Sequence, residues 1–460
     1  MNQLELFIDD RNLFERLATT EMLRQGFHAV KSNGGSPGID KMTVTDFEKK
    51  LDEELAQLKA ELMSWSYQPQ PVRRVEIPKP GGKGVRLLGV PCIRDRVVQA
   101  SIKILLEPIF DPEFSDSSYG FRPGRNQRQA VEAAQKIVRT GKEHVVDIDL
   151  SKFFDRINHD RLLKRVKLKV TDMRIIRLIA LTLRSGVMVD GALVPTEEGT
   201  TQGSPLSPLL SNIVLDELDK ELERRGLEFC RFADDCNIFL GSKKAAERVM
   251  EGITKFIEQR LKLVVNQEKS KVTMAQYVKF LGMTIIMGTM AISAQAMDKA
   301  MDKVKELTPR GTHLSIEKAI TEINAWYRGW SNYFQMTQYP SQLARIEAHI
   351  RRRLRSRLIA QMKRPRTIAA KLIAQGVDRN ITYKTVTGYP FNRSWHFYAK
   401  ADPAQAFPSW EDALDLPGAS AEQPWGGEPP RDPGIGPVHG QQPILGPGRT
   451  AFRGSGNGGG

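Results

Sequence analysis

Two adjacent aspartates, Asp234 and Asp235, stand between two short, largely apolar runs, Leu227–Phe232 and Cys236–Leu240. Asp is disfavoured inside strands and tolerated in tight turns. The pattern therefore predicts a β-hairpin with both carboxylates at its tip. Such a tip suits a hard divalent cation, whose remaining ligands come from other carboxylates or from substrate phosphates. A second acidic run lies upstream, from Val145 to Asp155. A buried β-branched strand running into Asp is costly unless the charge is paired or metal-bound. Alternation sets Asp147 and Asp149 on one face of that strand. A carboxylate at its end, facing the Asp-Asp hairpin, would hold two Mg²⁺ ions about 4 Å apart, the arrangement for in-line displacement at phosphorus.

Composition bounds the rest. A chain of 460 residues can build two or three domains. The net charge is +14, but residues 401–460 hold seven acids and three bases, which leaves +18 on the first 400. An excess of that size points to a polyanionic partner, most often nucleic acid. The three cysteines, Cys92, Cys230 and Cys236, have neither zinc spacing nor a disulfide framework, which fits a reducing compartment. The polar, acidic start Met1–Arg11 does not read as a signal peptide, and no apolar run approaches the ~18 residues of a membrane span. A cytoplasmic location is expected, with no membrane partner.

Along the chain, residues 10–66 show helical spacing, broken by a loop at Asn33–Gly38. Short strands are predicted over 72–92, a helix over Asp95–Leu106, a buried strand over Val145–Leu150 and the hairpin over Phe229–Leu240. Further helices are predicted at 126–139, 159–168, 172–184, 205–224 and 243–261. Strands and helices interleave without regular βαβ alternation, so the expected class is α+β with a palm-like domain. Residues 295–375 are almost purely helical and basic. Residues 401–460 contain 13 Gly and 10 Pro and read as a disordered tail.

Asp149 with the aromatic Phe154 five residues on, followed about 80 residues later by Phe232-Ala233-Asp234-Asp235, resembles the first and third palm motifs of reverse transcriptases. Between them, Thr201-Gln202-Gly203-Ser204-Pro205-Leu206-Ser207-Pro208 is similar to the second motif, in the form carried by group II intron and related bacterial enzymes. Leu261–Ser270 and Phe280-Leu281-Gly282 resemble the fourth and fifth motifs. One departure is Phe232, where the family usually has Tyr; it loses a hydroxyl near the primer terminus and keeps the ring. The segment Ile323–Phe334 resembles the maturase region that follows the polymerase in this family. Tryptophans often follow the family's basic run; here Leu358 and Met362 stand there instead.

The resemblance implies a right-hand polymerase fold of fingers and palm, an all-α thumb/maturase domain and the tail. Its expected divisions are 1–140 (N-terminal extension and fingers), 141–290 (palm), 291–400 (thumb/maturase) and 401–460, with a reverse transcriptase domain over about 60–290. It implies an RNA-directed DNA polymerase and maturase using two Mg²⁺ ions, with dNTPs, an RNA template with DNA primer, group II intron RNA and target DNA as partners, acting as monomer or homodimer. Asp149, Asp234 and Asp235 are the implied catalytic residues, and Asp149, Leu150, Asp234 and Asp235 the metal positions. Asp234 would bridge both ions. Lys79 and Arg86 on the fingers hairpin, Phe154 and Gln202 are the implied dNTP contacts, with Phe154 placed to reject a 2′-hydroxyl. Arg122, Arg125, Lys269, Gly282, Arg351, Arg352, Arg353, Arg355 and Arg357 are the implied primer, template or RNA contacts, with a framework role the alternative for Arg122 and Arg125 in the family signature Tyr119–Arg125. Asp147 and Asp155 read as structural, His159 as a helix-start residue, and Trp326, Trp330 and Phe334 as a packing stripe. The tail, with no Cys and one His, is not expected to build the Cys/His-rich nuclease of many relatives. A splicing-dominant role, or service in DNA repair or phage defence, is left open.

Overall fold

The computed structural model describes residues 12–78, 84–189, 192–309, 314–362 and 365–374, with isolated positions 379, 414 and 416. The tail at 401–460 lies, apart from two of those positions, outside the described residues, as does Lys79.

Four helices open the chain: α1 (Leu13–Leu17), α2 (Thr20–Asn33), α3 (Val44–Lys49) and α4 (Leu51–Met63). Thr19 caps α2 by accepting the Met22 N–H, and α3 starts in a Thr43/Asp46 capping box. An antiparallel hairpin follows, β1 (Val72–Pro78) and β2 (Val85–Val90), and then α5 (Ile93–Phe110), which packs along α2. After α6 (Gln127–Arg139) the chain runs through β3 (His144–Ile148), α7 (His159–Lys167), α8 (Met173–Leu183), β4 (Val187–Val189), β5 (Ala192–Val194) and α9 (Ser207–Arg224). Next come β6 (Glu228–Phe232), β7 (Asp235–Leu240), α10 (Lys243–Phe256), β8 (Lys271–Met274), β9 (Met283–Ile286) and β10 (Thr289–Ile292). Helices α11 (Ala294–Leu307), α12 (Ile316–Phe334), α13 (Pro340–Met362) and α14 (Pro365–Ala374) complete the described chain.

The central sheet has the order β6-β7-β3-β8, antiparallel throughout. Alternation divides its side chains between two cores. Val146, Ile148, Phe229, Cys236 and Ile238 join one core with helices α1–α5 and α7–α10. Val145, Cys230 and Phe239 join the other with α6, the β9–β10 hairpin and α11–α13. Both faces are covered, which is why Val145-Val146 reads as a continuous apolar run.

The fold is the expected α+β class, and its helices fall close to their predicted places. Two features depart from the sequence reading. The fingers sheet, β2-β1-β4-β5, takes β4 and β5 from inside the 141–290 segment, with β4 parallel to β1. Helix α6, inside the 1–140 segment, buries Ala130, Val131, Ala134 and Val138 in the second core beside the palm sheet. No change of core therefore occurs at residue 140: the apolar stripe of α6 needs the face that Val145 and Phe239 present. No helix among the described residues is long and apolar enough to cross a membrane.

Candidate active site

Strand register builds the site. In the β3–β7 pair, Ile148 lies opposite Cys236, so Asp149 emerges next to Asp235 where the ladder ends. Phe232 pairs with Asp235 across the hairpin, so the two-residue loop is Ala233-Asp234, and Asp235 opens β7 rather than sharing the tip as expected. Ala233 takes φ +58° as its first loop residue, the sign that lets a tight hairpin follow the strand twist. Asp149 leaves its strand under main-chain control. Its N–H donates to Ser270 Oγ (3.0 Å), and its carbonyl accepts the Asn266 N–H (2.9 Å). Leu150 makes an isolated bridge to Val265 rather than extending the strand. Lys269 Nζ stands 3.6 Å from Asp149 Oδ2, a largely solvated pair.

Burial acts on this cluster before any partner does. Asp235 is pushed up to about 7, first by desolvation and then by Asp147 and Asp234. Asp234 is raised by burial, with Asp149 adding to it and Arg86 opposing. Asp147 is raised by burial, with Asp149 again adding. Lys279 is the cation that opposes the charge of both Asp235 and Asp147. Carboxylates held in mutual repulsion at a partly buried strand end gain most from a bound divalent ion. Among the described residues no group of three or more His, Cys, Asp or Glu side chains is arranged to hold a metal ion. The donors are hard oxygens in an open arrangement, which fits a cation whose shell substrate phosphates complete.

Other elements reach the same place. Arg86 is exposed on β2, and its charge bears on Asp234. The turn that carries Gln202 is tied to the same strand: the Gln202 carbonyl accepts the Gly89 N–H at 2.9 Å. Ser204 Oγ donates to Gln99 at 2.8 Å inside the core, and α9 then starts at Ser207. Phe154 is half-buried in the turn Phe153–Arg156, where its carbonyl accepts the Thr200 N–H at 2.7 Å. The chain that precedes the Gln202 turn is therefore hydrogen-bonded to the segment holding Phe154. His159 begins α7 as expected, and its Nε2 meets the Gly199 carbonyl at 2.6 Å.

The reverse transcriptase (RNA-dependent DNA polymerase) family model matches residues 77–285, and the group II intron maturase-specific domain matches residues 297–373. Protein YkfC of Escherichia coli K12 is 33% identical over 302 residues, covering 57% of this chain and 79% of that protein. The group II intron-encoded protein LtrA of Lactococcus lactis is also 33% identical, over 262 residues. That match covers 56% of this chain and 42% of LtrA, so the chain spans less than half of that relative's length. This chain belongs to the group II intron reverse transcriptase and maturase family. Among solved structures, a partial Cas6-RT-Cas1–Cas2 complex matches at 26% identity and a TM-score of 0.35, over 54% of this chain and 42% of that one.

Packing separates the nucleic-acid positions expected of a group II intron reverse transcriptase into buried and exposed ones. Arg122 is buried. It donates to the Asp111 carboxylate (2.7 Å) and to the carbonyls of Asp111, Ser115 and Ser118. This packing favours the framework role, the alternative its motif left open. Arg357 is fully buried and donates to the carbonyls of Leu314 and Ser315. Arg353 is half-buried and spends donors on Thr308 Oγ1 (3.0 Å) and the Thr308 carbonyl (2.7 Å). Arg351 turns to the buried Glu347, 3.8 Å away. Arg352 is exposed, and the Arg355 side chain lies outside the described residues. Arg125 is half-buried, pairs with Asp116 at 2.6 Å and lies over the Tyr119 ring. Gly282 takes φ +82°, and a Cβ there would stand 3.1 Å from Phe334 Cζ. This position therefore meets the helix α12 that carries the maturase aromatics. Trp326, Trp330 and Phe334 pack on the second core, as the stripe reading expects.

Sequence reasoning passed over Arg231, Asp219, Asn212 and Lys279. Arg231 was legible as a charge inside an apolar strand, which requires a buried partner.

Proposed function

We propose that this chain copies an RNA template into DNA from a DNA primer, with Asp149, Asp234 and Asp235 as its catalytic carboxylates. The carrying observation is the register that sets Asp149 beside Asp235, with Asp234 on the turn between β6 and β7. Two Mg²⁺ ions, held by these carboxylates and the main chain at Leu150, would activate the primer 3′-hydroxyl and stabilise the departing pyrophosphate. Arg86 and Lys79 would bind the triphosphate of the incoming dNTP. Gln202 would pack on that nucleotide, and Phe154 would lie under its sugar and exclude a 2′-hydroxyl. Lys269, beside Asp149, would contact a phosphate.

The same reading gives residues 1–140 and 141–290 to fingers and palm and residues 291–400 to the thumb, where the exposed Arg352 would meet intron RNA. The chain would bind its group II intron RNA, assist splicing and support mobility by target-primed reverse transcription. The free buried Cys92, Cys230 and Cys236 suit the reducing cytoplasm in which it would work.

Primer extension on an RNA template tests the polymerase reading. Asp234→Ala should abolish extension while RNA affinity stays at the wild-type level. A variant that still extends primers near the wild-type rate would sink it.

A further inference from the structure

The loop that carries Asp234 rests on a buried cation. Arg231, on β6 three residues before Asp234, is fully buried together with Asp219 of α9. Each N–H of its guanidinium has an acceptor. Nε and Nη2 grip Asp219 at 2.7 and 2.5 Å, a bidentate pair. Nη2 also donates to Ser118 Oγ (2.7 Å), and Nη1 to Asn212 Oδ1 (3.0 Å). The remaining Nη1 bond goes to the Ala233 carbonyl at 2.8 Å. That carbonyl belongs to the peptide joining Ala233 to Asp234, so the guanidinium sets the plane from which the Asp234 side chain departs.

The loop needs such a hold. Ala233 at φ +58° sits where a Cβ is disfavoured and glycine is usual. From the other side the chain at Gly120 presses on it: a Cβ at residue 120 would stand 2.2 Å from the Ala233 nitrogen. Asn212 serves both contacts, accepting from Arg231 and donating through Nδ2 to the Gly120 carbonyl at 2.9 Å. The main chains of the two segments are also joined. The Tyr119 N–H donates to the Arg231 carbonyl and the Arg231 N–H to the Ser117 carbonyl, both at 2.9 Å.

We infer that Arg231 is a positioning residue for polymerisation: locked by Asp219, it holds the Ala233–Asp234 peptide in its left-handed turn and so aims the Asp234 carboxylate. Lysine keeps the charge at this position but cannot reach a bidentate carboxylate, two side-chain oxygens and a carbonyl together. Asp219 is the anchor, and Asn212 couples the anchor to Gly120.

The inference rests on the polymerase reading and fails separately from it, because Asp234→Ala tests the chemistry and Arg231→Lys tests the aim. Arg231→Lys should lower kcat about 10- to 100-fold, the range seen when groups that orient metal ligands are replaced. KM for the dNTP and affinity for RNA should stay at wild-type values. Mn²⁺ binding, followed by electron paramagnetic resonance in a complex with a primer lacking its 3′-hydroxyl, should weaken in parallel. Adding Ala233→Gly to Arg231→Lys should recover part of kcat and of Mn²⁺ affinity, because glycine takes the positive φ without a clamp. A purely structural Arg231 would lower the melting temperature and gain nothing from Ala233→Gly. Wild-type kcat and Mn²⁺ affinity in Arg231→Lys, or no recovery in the double variant, would overturn the inference. If Arg231→Lys does not fold, Ser118→Ala with and without Ala233→Gly decides. It removes one acceptor and keeps the ion pair, so it should show a smaller kcat loss with the same recovery, and its absence counts against the inference.

Discussion

At the scale of single residues, the site is defined by carboxylates brought together against their own charge. The metal-free fold is expected to register this as a pH effect, whose sign follows from Asp235. Its folded value, pushed up to about 7, lies above the ordinary carboxylate range. The folded chain therefore keeps a proton there that the unfolded chain has released. The stabilisation is present in acid and is lost as pH rises from about 4 toward 7. Asp235→Asn removes this loss. In EDTA at neutral pH it should melt above the wild type, by about 1–2 °C for each kcal/mol gained, since an unfolding entropy of about 2 cal/mol/K per residue sums over several hundred residues. The gain should vanish in acid, where Asp235 is protonated in both states. Saturating Mg²⁺ should raise the wild type more than the variant if, as proposed, these carboxylates hold the ion in the native state. Melting curves at both pH values check this, and a variant no more stable than wild type at neutral pH refutes it.

At the scale of elements, what could be read from the sequence depended on whether the cause was local. Helices announced themselves by apolar spacing, and the hairpin by two runs around Asp234-Asp235. The strands β4 and β5 have three residues each, and β4 finds its partner β1 more than a hundred residues upstream, so no local pattern marks them. The loop at Ala233 was not legible from turn chemistry, because an alanine stands where glycine is usual, with its carbonyl bonded to Arg231 and its nitrogen against Gly120. Arg351–Arg357 misled in another way. As a string it is a block of charge, but on α13 the residues Ile346, Ile350, Leu354 and Arg357 turn inward at helical spacing. Charge counted along a sequence overstates what a phosphate can meet. Two substitutions should separate these classes of arginine. Arg122→Ala is expected to cost on the order of 2 kcal/mol of stability, since it empties a buried site of charge-assisted hydrogen bonds. Arg352→Ala should leave the melting temperature in place and reduce the salt dependence of RNA binding by about one unit of log-log slope. Thermal melts and binding isotherms at several salt concentrations check both. Equal losses of RNA affinity at unchanged stability would refute the division.

At the scale of the whole described molecule, the palm sheet is shared property. One face belongs to the core of the N-terminal helices, the other to the core that holds α11, α12 and α13. The element that meets RNA in this reading and the strands that carry the carboxylates are therefore stabilised by the same packing. Phe334 against Gly282 and the Tyr333 hydroxyl on the Leu281 carbonyl (2.5 Å) join helix and palm directly. The polar centre of this core is Tyr327, whose hydroxyl donates to Glu347 at 2.9 Å. Both residues are buried, and desolvation holds the Glu347 carboxyl above its usual range. Tyr327→Phe leaves that carboxyl without its donor, a loss of about 1–3 kcal/mol. Because the damage falls on shared packing, primer extension and splicing assistance at low Mg²⁺ should lose their temperature midpoints together and by the same amount. Asp234→Ala acts at the turn alone, so it should remove extension and leave low-Mg²⁺ splicing intact. Measuring both activities against temperature in the two variants separates a chemical lesion from a structural one. If Tyr327→Phe lowered only one midpoint, the two functions would not depend on a common core.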